Sequence, residues 1–208
     1  QYRLCEAKSR FPRGARDEID VTVKTAVSRF QIHDELTAPD ESAALIKAIQ
    51  AAGGAVSKFV GVLAGSPAVL RAYTRMRSEL RGGVLPRPTR ERIALAVAEH
   101  REDNYSIAQH AKSARQAGLG LDEISRARSF TSSDPKEAAL LTYLKETLES
   151  DGPPPLHLHE EAREAGWSDE EILEAIGHLA LNEFQSLVAG AAALPQDQAP
   201  PRVLPDAA

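Results

Sequence analysis

The chain has 208 residues, 42% of them hydrophobic and 26% charged, enough for one soluble domain with a real core plus terminal segments. Its net charge of −5 argues against electrostatic binding to nucleic acid or to anionic membrane, which needs clustered Lys and Arg, and its single cysteine, Cys5, excludes an internal disulfide or a Cys-rich zinc site. No apolar run approaches the roughly 20 residues that span a bilayer, and the charged N-terminus lacks a signal-peptide core, so a soluble cytoplasmic protein is expected.

Residues 1 to 32 differ from the rest. The stretch DVTVKTAVSRFQIHDEL alternates weakly, which suggests a strand or an extended arm, and the change of character near Val27 suggests that the native start lies about there, with the upstream residues an over-extended translation. We therefore expect an N-terminal extension over 1–32, a domain over 33–194 and a disordered Pro-rich tail over 195–208.

From residue 40 the chain reads as helices separated by turn signals. DESAALIKAIQAAGG opens with Asp40, Glu41 and Ser42 as candidate caps and stops at Gly53-Gly54. A short helix ends near Gly65, and the next starts with Ser66 as N-cap and Pro67 in its first turn, stopping at Gly82-Gly83. RPTRERIALAVAEHRED carries an apolar body, and NYSIAQHAKSARQAG follows it and ends at Gly118. LDEISRARSF is short. Asp134 and Pro135 then open a helix with apolar residues at 140, 141, 144 and 148, and LHEEAREAGW forms a short amphipathic piece. The last helix opens with Ser168 and Glu171 in capping-box register and runs to about residue 192.

Strand signals are missing after residue 35, so the fold class is all-α, with eight or nine helices. Alanine-rich helices permit close packing. The apolar stripe of the last helix, from Ile172 to Val188, is long enough to meet more than one partner, so self-association is expected.

The helix pair 87 to 118 carries the chemistry. Glu91 sits in the first turn of one helix; Asp103, Ser106 and His110 then fall on one face of the next. The arrangement E-x11-D-x2-S-x3-H resembles the AhpD-like family, which includes the carboxymuconolactone decarboxylases and whose pattern is a glutamate, eleven residues, C-x-x-C, three residues and a histidine. Glu91, the run IALAVAEH, Tyr105 and His110 match that pattern; Asp103 and Ser106 stand where it has cysteines. The likeness extends over about residues 40 to 193. It implies an all-α, AhpD-like bundle that forms dimers, trimers or hexamers. Active relatives are thiol peroxidases whose cysteines cycle between dithiol and disulfide while glutamate and histidine relay protons; other members decarboxylate a lactone without that pair.

The departure removes the sulfur chemistry. A thiolate attacks peroxide, and the sulfenic acid formed is resolved by a second thiol. Neither Asp103 nor Ser106 can run that cycle, and Cys5 lies in the unmatched N-terminal arm. Each remaining residue has a bland reading beside its functional one. Asp103 is an N-cap or a carboxylate at a pocket mouth; Ser106 is a satisfied first-turn hydroxyl or a ligand donor; Tyr105 is a wall or core aromatic. Glu91 gains from the helix dipole, or faces His110 as a carboxylate–imidazole couple suited to proton transfer. His157 and His159 read as a solvated turn rather than a metal site, His178 as a packed histidine supported by Asn182, and His100 as exposed. No nucleotide motif, metal site or cofactor is expected. Two functions stay open: an enzyme of decarboxylase, lactone or isomerase type using Glu91 and His110 on a small molecule, or a catalytically degenerate oligomer that binds a ligand or partner.

Overall fold

The structure, a computed structural model, describes residues 27–196. Expectations for residues 1–26 and 197–208, Cys5 among them, lie outside the described residues. Nine helices and no strand are found among the described residues: α1 (Asp40–Ala51), α2 (Lys58–Leu63), α3 (Pro67–Arg81), α4 (Arg87–His100), α5 (Asn104–Gln116), α6 (Leu121–Ala127), α7 (Pro135–Glu149), α8 (Leu156–Glu164) and α9 (Asp169–Ala192).

Local chemistry explains most of the boundaries. The side chains of Ser66, Asp103, Asp134 and Ser168 each accept a backbone N–H in the first turn of the helix they start, and Glu171 completes the capping box of α9. The start of α1 differs from expectation. Pro39 occupies the cap with no side-chain bond, Asp40 and Glu41 lie in the first turn, and Ser42 is buried. Two carboxylates beside the positive helix end supply electrostatic help in place of a cap. Gly118, at φ +92, closes α5 in the left-handed region and lets Leu119 N–H donate to Ala114 O.

Helix α4 is the axis of the bundle, packing most extensively on α5 and α9. Every residue from Arg92 to Ala98 is buried, so α4 is apolar nearly all round where a surface helix would show one stripe. One core joins Ile93, Ala96 and Val97 to Leu140, Leu141 and Leu144 of α7 and to Trp167, Ile172 and Leu179. A second joins α1, α2 and α3 to α9 through Ile46, Phe59, Leu63, Leu70, Tyr73 and Leu181, and takes in Tyr105 from α5.

Residues 27–38 contain no strand; they run across the bundle. Arg29 N–H and Ser28 Oγ donate to Ala192 O, and His33 N–H donates to Gly61 O. A Cβ at Gly61 would collide with Ile32 and the His33 carbonyl, so glycine is what allows this approach.

Candidate active site

The corner between α4 and α5 sets the site. Glu102 adopts φ 52, Asp103 N–H donates to Ala98 O, and Asp103 Oδ1 accepts from Ser106 N–H at 3.1 Å. The chain reverses within these residues, so α4 just past its first turn, where Glu91 lies rather than in the first turn itself, packs against the middle of α5. Glu91 and His110 therefore meet across the hairpin: Glu91 Oε2 lies 3.0 Å from His110 Nδ1. The pair is partly buried, with side chains 16% and 23% exposed.

A carboxylate only accepts hydrogen bonds, so this contact assigns the imidazole hydrogen to Nδ1 and leaves the Nε2 lone pair for another partner. His110 lines two adjoining cavities. The first, about 670 Å³, lies between α2, α3 and α5 and is walled by Phe59, Val60, Tyr73, Tyr105 and Ser106. The second, about 390 Å³, holds Glu91 and the side chains of Arg77, Arg81, Arg87 and Arg90.

The structure thus brings together Glu91, Tyr105, Ser106 and His110. Asp103 stands apart. It lines neither cavity, is buried, and has its Oδ2 without a hydrogen-bond partner. Its N-cap bond to Ser106 is the bland role that the sequence already offered. Tyr105 is a buried wall whose hydroxyl accepts from Phe59 N–H at 3.4 Å. Arg92, next to Glu91 in sequence, turns away to Glu123 and Glu137 on the far side of α4.

Sequence reasoning missed the wall supplied by α3 and α9. Tyr73, Arg77 and Arg81, spaced by four, share one face of α3. Tyr73 OH donates to Gln185 Oε1 at 2.7 Å, Gln185 Nε2 donates to Asn182 Oδ1, and Asn182 Nδ2 donates to the His178 carbonyl. Burial pushes the Tyr73 phenol up, so it remains a donor. His178 lines the second cavity with its Nε2 3.3 Å from Leu80 O, and burial pushes its imidazole down toward the neutral form. Asn182 thus bonds to the backbone of His178 rather than to its ring. The tetrad spacing on α3 was the available signal, although a polar helix face toward a cavity looks the same in sequence as one toward solvent.

The other histidines stay away from the site. His100 is exposed beside Glu149, and His157 and His159 lie within α8, where the His159 ring meets Tyr143 edge-on. No cluster of three or more potential metal ligands occurs among the described residues. No helix among them is long and apolar enough to cross a membrane.

The likenesses to known proteins concern the family and the fold. The sequence profile of the carboxymuconolactone decarboxylase family matches residues 67–146, which contain both Glu91 and His110. An uncharacterized peroxidase-related protein from Silicibacter sp. TM1040 superposes with a TM-score of 0.68 at 20% identity, covering 82% of this chain and 91% of that one. A second uncharacterized peroxidase-related protein, from Ralstonia eutropha JMP134 and described as an alkylhydroperoxidase AhpD core, gives 0.68 at 21% identity, covering 82% and 93%. No curated protein matches the chain significantly.

Proposed function

We propose that this chain, which matches the carboxymuconolactone decarboxylase family over residues 67–146 and has the AhpD-like fold, performs proton-transfer chemistry on a small molecule without a thiol cycle. The observation that carries the reading is the Glu91–His110 contact at the junction of two cavities. Glu91 orients the ring and stabilises the imidazolium that forms when Nε2 takes a proton. The same nitrogen then returns the proton to carbon or oxygen. Decarboxylation and isomerisation each need a group that protonates or deprotonates an enol or enolate carbon, and lactone opening needs a base that activates water and an acid for the leaving oxygen; the couple can serve either.

Ser106 and Tyr105 shape the wall of the first cavity, and Asp103 caps α5 and fixes where His110 points. Thiol peroxidase chemistry is not available to positions 103 and 106, because neither side chain can form a sulfenic acid or a disulfide. The test is deuterium wash-in. A panel of lactones and 2-oxo acids is incubated in D₂O, and exchange at carbon is followed by NMR. Exchange by the wild-type protein that disappears in His110→Ala supports the reading; no compound exchanging above the variant's level favours a ligand-binding member that has lost catalysis.

We infer also that the protein self-associates through α9. Leu173, Ala180 and Leu187, seven apart, form an exposed stripe on its outer face. The two leucines are 68% and 59% exposed.

A further inference from the structure

We propose that the two cavities form one bipartite site for an elongated amphipathic acid, its apolar body in the Phe59–Tyr73–Tyr105 cavity and its anionic end on Arg77, Arg81, Arg87 and Arg90. The cavities share Arg77, Arg81, His110, Ser113 and Gln185 as walls, so a single molecule can occupy both. The inference rests on the proton-transfer reading only in placing the reacting carbon beside His110, where the two halves meet.

The charge balance of the second cavity carries the argument. Four guanidinium groups face one carboxylate, Glu91, and that carboxylate is engaged by His110. Arg71, Arg92, Arg101, Arg128 and Arg163 each pair with a carboxylate elsewhere. None of the four cavity arginines does so among the described residues; Arg90 donates to the Arg81 carbonyl at 2.7 Å and Arg87 to Gln116 Oε1 at 3.4 Å. These neutral acceptors hold two guanidinium groups in place without cancelling their charge. In a chain of net charge −5, an uncompensated positive cleft is a local feature.

Guanidinium forks match carboxylate and phosphate oxygens in paired hydrogen bonds, so the anion is either of these. Arg77, Arg81 and Arg87 are exposed, which puts the charged end at the mouth. Phe59, Tyr73 and Tyr105 are buried, which puts the apolar end inside. Burial pushes the His178 imidazole down toward its neutral form, so it is not one of the cations facing the cleft.

The test is calorimetric titration of the full chain with octanoate, octyl phosphate, 1-octanol and inorganic phosphate at one fixed ionic strength. The proposal expects octanoate or octyl phosphate to bind at least tenfold tighter than 1-octanol and than inorganic phosphate. The tighter of the two identifies the anion. Arg77→Ala/Arg81→Ala should weaken that binding at least tenfold, while Arg75→Ala/Arg126→Ala, which removes the same charge elsewhere, leaves it within twofold. If the alanine pair lowers the melting temperature, Arg77→Gln/Arg81→Gln reads the same loss. Equal affinity for 1-octanol, an equal loss in the control pair, or no binding of any probe at millimolar concentration overturns the proposal. Arginine-dependent binding that persists while His110→Asn leaves deuterium exchange unchanged would defeat the proton-transfer reading alone.

Discussion

Glu91 Oε2 and His110 Nδ1 lie 3.0 Å apart, joined across the tight corner between α4 and α5. The contact fixes which ring nitrogen is left for chemistry. Glu91→Gln keeps the shape but can present an N–H to Nδ1, which then becomes an acceptor and moves the hydrogen to Nε2. We predict a loss of about 10²-fold or more in any turnover, with little change in melting temperature. Nitrogen NMR of the His110 ring should show Nδ1–H in the wild type and a mixture or reversal in the variant. An unchanged tautomer with unchanged turnover would contradict the assigned role of Glu91.

Hydroperoxide turnover with dithiol reductants should stay at background in the full chain, because neither Asp103 nor Ser106 supplies a thiolate. The matching measurement on Cys5→Ser should give the same background. Robust turnover by that variant would show that peroxide reduction proceeds here by a route independent of sulfur nucleophiles.

Acid should destabilise the fold through the cluster around Arg92. This guanidinium is buried between Glu123 and Glu137, with its Nε 2.7 Å from Glu123 Oε1. Burial pushes the Glu123 carboxyl up, but hydrogen bonds from Ser132, Arg92 and Ser133 together outweigh it and hold the group at about 2. A folded pKa below the ordinary value of 4.5 means stability that is present above 4.5 and lost as pH falls toward 2. Glu137 acts oppositely. Burial raises its carboxyl against the Thr89 hydrogen bond and the Arg92 charge, so its protonation in acid favours the folded state. Melting followed against pH should therefore show a decline below pH 4.5 that Glu123→Gln flattens and Glu137→Gln steepens. Arg92→Met leaves the buried Glu137 and the half-buried Glu123 without their counter-charge and should cost about 3 kcal/mol at neutral pH.

Self-association is tested by the stripe on α9. Leu173→Lys/Leu187→Lys changes two exposed side chains, so folding stability should shift by no more than about 0.5 kcal/mol per site. Sedimentation velocity should show the wild type as an oligomer and the variant as a smaller species. A monomeric wild type at micromolar concentration, or an oligomer that survives both lysines, would contradict the role given to this face.

The helices were legible because their ends carry local chemistry. Ser66, Asp103, Asp134 and Ser168 cap in the structure as their types and positions suggest. Glu91 and His110 were legible through the resemblance of their motif to the AhpD-like pattern, which implied the pairing that the short corner between α4 and α5 makes. The walls around them were not. Tyr73, Arg77 and Arg81 lie about 30 residues before His110 in the chain and Gln185 lies 75 after it. Only tertiary packing of α3, α5 and α9 makes them neighbours. Asp103 and Ser106 were legible as helix-start residues, but their different fates were not: Asp103 stands at the cap, outside α5, with its carboxylate turned back onto Ser106 N–H, whereas Ser106 lies within the helix and lines a cavity.

The most direct measurement of the central claim is carbon-bound deuterium exchange by the wild-type protein and by His110→Asn on one ligand that both bind with the same affinity. Equal affinity separates binding from chemistry. The account predicts exchange by the wild type and a rate at least 10²-fold lower in the variant. Equal rates in the two proteins would contradict it.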